Sequence, residues 1–231
     1  MIAENLAKIQ GHIAQICSRC GRDAEEVTLV GISKYADARQ IEEAIAAGLT
    51  HVGENRVQDA GLKFKQISSI ASVSRHLVGH LQTNKARSAL ELFTLIESVD
   101  SIRLADALQK HAGEFDRGVD ILAQVNIAGE EQKYGLAPEA VRPFVEHVLK
   151  ECPHLRLRGL MTIAPLTEDA ETVRSCFRGL RETAQRLADE FGGERQAQFA
   201  ELSMGMSADY EIAIEEGATM VRIGRAIFYD H

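Results

Sequence analysis

The sequence has no tryptophan and only four prolines in 231 residues. No apolar run approaches the ~20 residues that a membrane-spanning helix needs. The amino terminus, MIAENLAKIQGHIAQI, lacks the basic-then-apolar layout of a secretory signal. No G-x-G-x-x-G and no G-x-x-x-x-G-K occurs, so the two commonest phosphate-loop signatures of open α/β sheets are missing. Positive charge is not massed anywhere. The 26 Lys and Arg are scattered among 34 Asp and Glu, for a formal net charge of −8. A nucleic-acid binder carries a basic face, so that partner class is disfavoured. These absences lead to the expectation of a cytoplasmic protein with neither membrane nor nucleic acid as partner. Cysteine is sparse, at 17, 20, 152 and 176. Cys17 and Cys20 form a C-x-x-C, but no second pair at comparable spacing completes a zinc site. Reduced, partly buried thiols are the plainer reading.

What the sequence does have is alternation. Eight short β-like runs follow one another: VTLVGIS (27–33), THVGEN (50–55), RHLVGHL (75–81), FTLIESV (93–99), ILAQVNI (121–127), LRLRGLMTIA (155–164), AELSMG (200–205) and TMVRIG (219–224). Most are continuously apolar, as parallel strands covered on both faces are. Helical patterns separate them. Asp37 and Gln40 form a capping box before Ile41 and Ile45, with Gly48 as the stop. Val57, Ala60, Phe64 and Ile67 mark the next helix, and the stretches 84–91 and 101–112 two more. Pro138 opens a helix carrying Val141, Phe144, Val145 and Val148. Val173 to Phe191 carries the longest, and 208–216 another. A helix with Ile2, Leu6, Ile9, Ile13 and Ile16 on one face precedes the first strand, and nothing helical is expected after the last. The pattern predicts a single (β/α)8 barrel domain over 1–231, the amino-terminal helix taking the place of the missing last one. An open doubly wound sheet is the alternative.

In such barrels the active site forms at the carboxyl ends of the strands, often with phosphate after strands 7 and 8. Lys34 directly follows the first strand. There it is expected to be partly desolvated, which frees the amine as a nucleophile toward aldehydes. A solvated strand-end lysine is the plainer alternative. In SMGMSADYE (203–211), Gly205 permits close backbone approach to a ligand, and Ser207 sits where a helix begins. Ser207 then serves as an N-cap, a phosphate ligand, or both. In MVRIGRAIF (220–228), Arg222 interrupts an apolar strand. It must point into the barrel toward an anion or acceptor, because an unpaired buried charge is costly. A structural salt bridge is the other reading. Gly224 and Arg225 end the strand where phosphate is expected. An aldehyde-bearing phosphate suits all three places, and pyridoxal 5′-phosphate (PLP) is one.

Beyond these features, GISK (31–34), HVGENRVQ (51–58), HLVGHLQTNK (76–85), ESVDS (97–101), VNIAGEEQKYG (125–135), RGLMTIAP (158–165), LSMGMSADYEIAI (202–214) and VRIGRAIF (221–228) occur in order. The sequence thereby resembles the pyridoxal-phosphate homeostasis protein family, whose fold is the amino-terminal barrel of alanine racemase. The resemblance implies that Lys34 carries PLP as a Schiff base and that Arg222 lies near the pyridine nitrogen. It also implies Met206, Ser207, Gly224 and Arg225 around the phosphate end, with Asn55 as a further lining residue. Many relatives have Thr or Ser where this chain has Arg225, and the tail FYDH also departs from the family pattern. The implied role is a PLP carrier or buffer, monomeric and transiently meeting apo-enzymes. No second domain with a catalytic tyrosine is seen in the sequence. The alternatives are a weak PLP-dependent racemase or related enzyme, and a sugar-phosphate barrel enzyme without PLP.

Overall fold

The computed structural model describes residues 1–130, 132–191 and 199–229. Asp230 and His231, the end of the divergent tail, lie outside them. Eight parallel strands close a barrel in chain order. They are β1 (Thr28–Ile32), β2 (His51–Glu54), β3 (Ser74–Leu77), β4 (Leu95–Val99), β5 (Val119–Gln124), β6 (Leu155–Met161), β7 (Glu201–Met206) and β8 (Met220–Ile223), and β8 pairs with β1. Several strands are shorter than the apolar runs that announced them. In those runs the residues after the strand still pack: Leu81 and Ala164 are buried from loops beyond β3 and β6. Apolar continuity therefore outlasts hydrogen-bonded pairing.

The helices are α1 (Ile2–Cys20), α2 (Ala38–Ala46), α3 (Val57–Lys63), α4 (Ala86–Leu92), α5 (Ile102–Glu114), α6 (Pro138–Glu151), α7 (Ala170–Phe191), α8 (Tyr210–Glu215) and α9 (Arg225–Phe228). The capping box forms as expected. Gln40 N donates to Asp37 Oδ1 at 2.8 Å, and Asp37 N donates to Gln40 Oε1 at 3.0 Å. Helix α1 buries Ile2, Leu6, Ile9, Ile13 and Ile16 against α2, α8 and α9 and so completes the helical layer. Cys17 is buried on that face and Cys20 is exposed, both as free thiols.

One expectation is corrected. The chain does turn helical after the last strand, through the short α9. Ile227 and Phe228 are buried there, and their carbonyls accept from Asn5 Nδ2 and Gln40 Nε2. The cause is tertiary, since α1 and α2 supply the partners that a four-residue helix cannot supply for itself. No helix of the described residues is long and apolar enough to cross a membrane.

Val30, Leu95, Leu122, Met161 and Met220 fill the barrel, while the larger core lies between barrel and helices. On the outer side, a buried ion pair secures the end of β1. Glu54 has 0% exposure, and its Oε1 accepts from Lys63 Nζ at 2.8 Å and Ser33 Oγ at 2.7 Å. Lys63 Nζ also donates to the Ser33 and Lys34 carbonyls at 2.7 and 3.2 Å. Three donors of one ammonium thus hold the backbone on which Lys34 sits. Breaking such a buried pair from one side costs ~3–5 kcal/mol, because the remaining charge is left unpaired. Lys63→Met is accordingly expected to destabilise the chain by about that amount in urea unfolding. A loss below ~1 kcal/mol would show that the pair does not hold the strand end.

Candidate ligand site at the carboxyl end of the barrel

The carboxyl ends of β1, β2, β7 and β8 surround a cavity of about 330 Å³. Lys34, Asn55, Met206, Ser207, Arg222, Gly224 and Arg225 all line it. The site residues named from the sequence are therefore gathered in one place. Their surroundings differ from expectation in three respects.

Lys34 is exposed, not desolvated. It follows the last residue of β1 by two positions, and no strand neighbour covers it. Its Nζ lies 4.7 Å from the centre of the Tyr35 ring, and it makes no ion pair among the described residues. The hydrogen bond from Lys34, helped by its charge, holds the Tyr35 hydroxyl below the usual phenol range.

Ser207 is not a helix cap. A reciprocal pair closes the turn before α8: Asp209 N donates to Met206 O at 3.0 Å, and Met206 N donates to Asp209 Oδ1 at 2.5 Å. Asp209 then occupies the position before Tyr210, and Ser207 is left exposed on the turn. Burial raises the Asp209 carboxyl, with the Met206 amide and Arg222 opposing.

Gly205 serves the helix instead of a ligand. Its φ is +93°, and a Cβ there would meet Ala213 Cβ at 2.5 Å. Only glycine allows α8 this close to β7. The β7–β8 register shifts between Ser203 and Met206 across this residue, which carries Met206 to the rim opposite Arg222.

Arg222 does point into the barrel, with 4% exposure. Its Nη1 donates to Ser203 Oγ at 2.6 Å and its Nη2 to the Thr162 carbonyl at 2.8 Å. Ser203 Oγ in turn donates to Glu97 Oε2 at 2.5 Å. Glu97 Oε2 is 4.0 Å from Arg222 Nη1, so the counter-charge acts mainly through the serine. Burial lowers the Arg222 guanidinium, and Glu97 and Asp209 oppose it. Burial raises the Glu97 carboxyl, but His76, Arg222 and Ser203 outweigh it and hold the group below the usual carboxylate range.

Asn55 Oδ1 is buried on the cavity wall without a hydrogen-bond partner. Its backbone is fixed by Gly79, where a Cβ would lie 2.2 Å from the Asn55 carbonyl oxygen. The sequence reading missed Tyr35, Tyr229, Ile163 and Leu166, which also line the cavity. Their signal was weak, since apolar residues after strand ends look like core. It also missed Glu97, although an acid inside the apolar run FTLIESV called for the argument applied to Arg222.

Away from the cavity, Asp106, His147 and Cys152 form a group of metal-ligand types. His147 Nε2 and Asp106 Oδ1 already share a 2.7 Å hydrogen bond. Burial pushes the Cys152 thiol up to about 11, with Asp106 and Glu151 contributing, so the sulfur is protonated at neutral pH.

Comparison with known proteins agrees over nearly the whole chain. Residues 4–231 match the family described as alanine racemase, N-terminal domain. The chain is 41% identical over 225 residues to the pyridoxal phosphate homeostasis protein of Aquifex aeolicus (strain VF5), with 97% of this chain and 96% of that protein covered. It superposes on PipY of Synechococcus elongatus PCC7942, solved with PLP bound, at a TM-score of 0.86 and 37% identity, covering 99% of this chain and 100% of PipY. An alanine racemase of Clostridium difficile 630 shares the fold, at a TM-score of 0.77 and 15% identity, over 99% of this chain and 57% of that one. With the barrel, its carboxyl-end cavity and full-length identity in agreement, the chain belongs to the pyridoxal phosphate homeostasis protein family.

Proposed function

We propose that the protein binds PLP as a Schiff base on Lys34 and acts in intracellular PLP homeostasis as a carrier or buffer without substantial catalysis. The observation that carries this reading is the convergence on one cavity of an amine without an ion-pair partner, a buried arginine and an unpartnered acceptor. PipY, with which this chain aligns almost end to end, has been solved with PLP bound.

The residues present fit the group. Asn55 Oδ1 lacks a donor, and the ring hydroxyl of PLP is one. Ser207 and Arg225 offer a hydroxyl and a cation to the phosphate, next to the Gly224 backbone. Arg222 keeps N–H donors beyond those given to Ser203 and Thr162. A guanidinium beside the pyridine nitrogen resists protonation there. When bound, PLP supplies an aldehyde for the amine and an electron-withdrawing ring, and Arg222 keeps that ring a weak electron sink.

Two features support a holder over a catalyst. Efficient racemisation needs a second acid–base group facing Lys34 across the ligand. The cavity's two tyrosines are both tied to the lysine's neighbourhood: Tyr35 adjoins Lys34 in sequence, and the Tyr229 hydroxyl donates to the Tyr35 carbonyl. The rim is also open and apolar, with Leu166, Tyr35 and Met206 exposed, which suits transient contact with apo-enzymes. A weak PLP enzyme is the second reading, favoured by the lowered Tyr35 hydroxyl.

Three outcomes are expected. Lys34→Ala abolishes the visible absorbance of the PLP-loaded protein and the borohydride-fixed mass on the peptide containing residue 34. Retention of either signal moves the attachment elsewhere, and a colourless wild type with added PLP sinks the reading altogether. Pyridoxal without phosphate binds at least ~10-fold more weakly than PLP, since one charge-assisted hydrogen bond contributes ~1.5–3 kcal/mol. Gly224→Asp weakens PLP too, by repulsion and because its Cβ would lie 2.9 Å from the Ile32 carbonyl. Equal affinities for pyridoxal and PLP contradict the phosphate placement. Finally, L-alanine in deuterated water exchanges its α-proton slowly, with no build-up of the D-enantiomer. Racemisation at ~1–10³ s⁻¹, as in ordinary enzymes, overturns the carrier reading in favour of the enzyme one.

A further inference from the structure

The polar row that holds Arg222 does not stop at Glu97. His76 Nδ1 lies 2.6 Å from Glu97 Oε1, and His76 Nε2 lies 2.9 Å from His51 Nδ1. His76 and Glu97 are buried to 1% and 0% exposure. His51 opens β2 at the other end of the barrel, is half-buried, and borders a separate cavity of about 370 Å³ there. A line of hydrogen bonds therefore runs through the barrel from one face to the ligand cavity on the other.

Counting donors fixes its direction. Ionised Glu97 only accepts. Ser203 gives its single hydroxyl proton to Glu97 Oε2 and accepts from Arg222. His76 must offer Nδ1–H to Glu97 Oε1. In the neutral ring its Nε2 is then bare, so His51 must offer Nδ1–H to it. Each donor thus points toward Glu97. We infer that His51 and His76 form a directional proton relay toward Glu97, and that Glu97 and Ser203 position Arg222 and set the field it presents to the ligand cavity.

The step balances. A proton taken up at His51 Nε2 is matched by transfer of the His51 Nδ1 proton to His76 Nε2. His51 ends neutral in its other tautomer, and His76 becomes an imidazolium beside the Glu97 carboxylate. Burial, with His76 next in weight and Glu97 opposing, pushes His51 itself down to about 4. The ionisable groups facing the row are His51, His76, Glu97, Arg222 and, beyond Arg222, Asp209. Loading His76 divides Glu97 between two cations and leaves more of the Arg222 charge for the cavity.

The effect on a ligand rests on the PLP reading, whereas the tautomers do not. Long-range proton–nitrogen NMR of histidine-labelled apoprotein, at a pH well above the ordinary histidine value of about 6.5, reads them directly. Nδ1–H is expected on both His51 and His76, and Nε2–H on His76 overturns the relay. In the PLP-loaded protein, absorbance is expected to shift as pH falls toward the depressed His51 value of about 4, and His51→Phe to remove that shift. Glu97→Gln and Ser203→Ala are expected to weaken PLP by ~10–100-fold, as loss of a supporting partner does at metal sites. Ser203→Ala decides the point if Glu97→Gln fails to fold. Wild-type affinity and an unchanged pH profile in these variants overturn the relay. A wild type without lysine-bound PLP defeats the functional reading instead, while the tautomers still decide the relay.

Discussion

An ionised carboxylate with no exposed surface, at the centre of a barrel, is costly unless every oxygen is answered. Glu97 is answered from three other strands: His76 on β3, Ser203 on β7 and, through that serine, Arg222 on β8. The apolar layer of Val30, Leu95, Leu122, Met161 and Met220 packs within the same barrel. Low local polarity strengthens each bond in the row and raises the cost of leaving any member unpaired. The row is therefore a constraint on the whole fold. Strands far apart in sequence must close in one register for the charges to meet, and Gly205 permits the β7–β8 shift that lets Arg222 lie beside Ser203 and Met206 together.

The ligand site divides its electrostatics between inside and outside. Arg222 is neutralised from within by Glu97. Lys34 is left chemically free because a different lysine, Lys63, takes the acid nearby, Glu54, on the outer side of β2. Had Glu54 faced the cavity, it would have been placed to pair with Lys34. The alternation of side chains along a strand keeps the two acids apart, one in the barrel and one beneath the helices. The same alternation places Val30, Ile32 and Lys34 on one side and Ser33 on the other.

Sequence reading succeeded where burial on both faces writes continuous apolar runs, as in VTLVGIS and TMVRIG, and where a cap is local, as with Asp37 and Gln40. It failed where a partner comes from a distant element. Ser207 looked like a cap because it precedes a helical pattern, yet Asp209 bonded back to Met206 and took the cap position. Helix α9 has no local signal, because Asn5 and Gln40 hold it. Lys34 was expected to be desolvated by its strand, but β1 ends two residues earlier. The interior row was the least visible part of the site. His51, His76 and Glu97 lie within quoted motifs, yet only barrel closure brings them together. The one available clue was that an acid and an arginine each interrupt an apolar run and so call for one another.

Exposure of Lys34 also bears on how a holder of PLP must work. A deeply desolvated lysine would gain much from forming a covalent link and would release the cofactor slowly, since reopening restores a buried charge. An exposed lysine gains little from burial relief, so the covalent bond contributes reactivity more than retention. On the proposed reading, affinity comes from the two ends of the ligand: phosphate contacts around Ser207 and Arg225, and the ring contact of Arg222. On that reading, those contacts would survive while a link to Lys34 exchanged with another amine at the rim. Retention at the ends with exchange at the aldehyde is what a buffer needs. It differs from an enzyme, whose binding energy must be realised in the transition state and not in the resting complex.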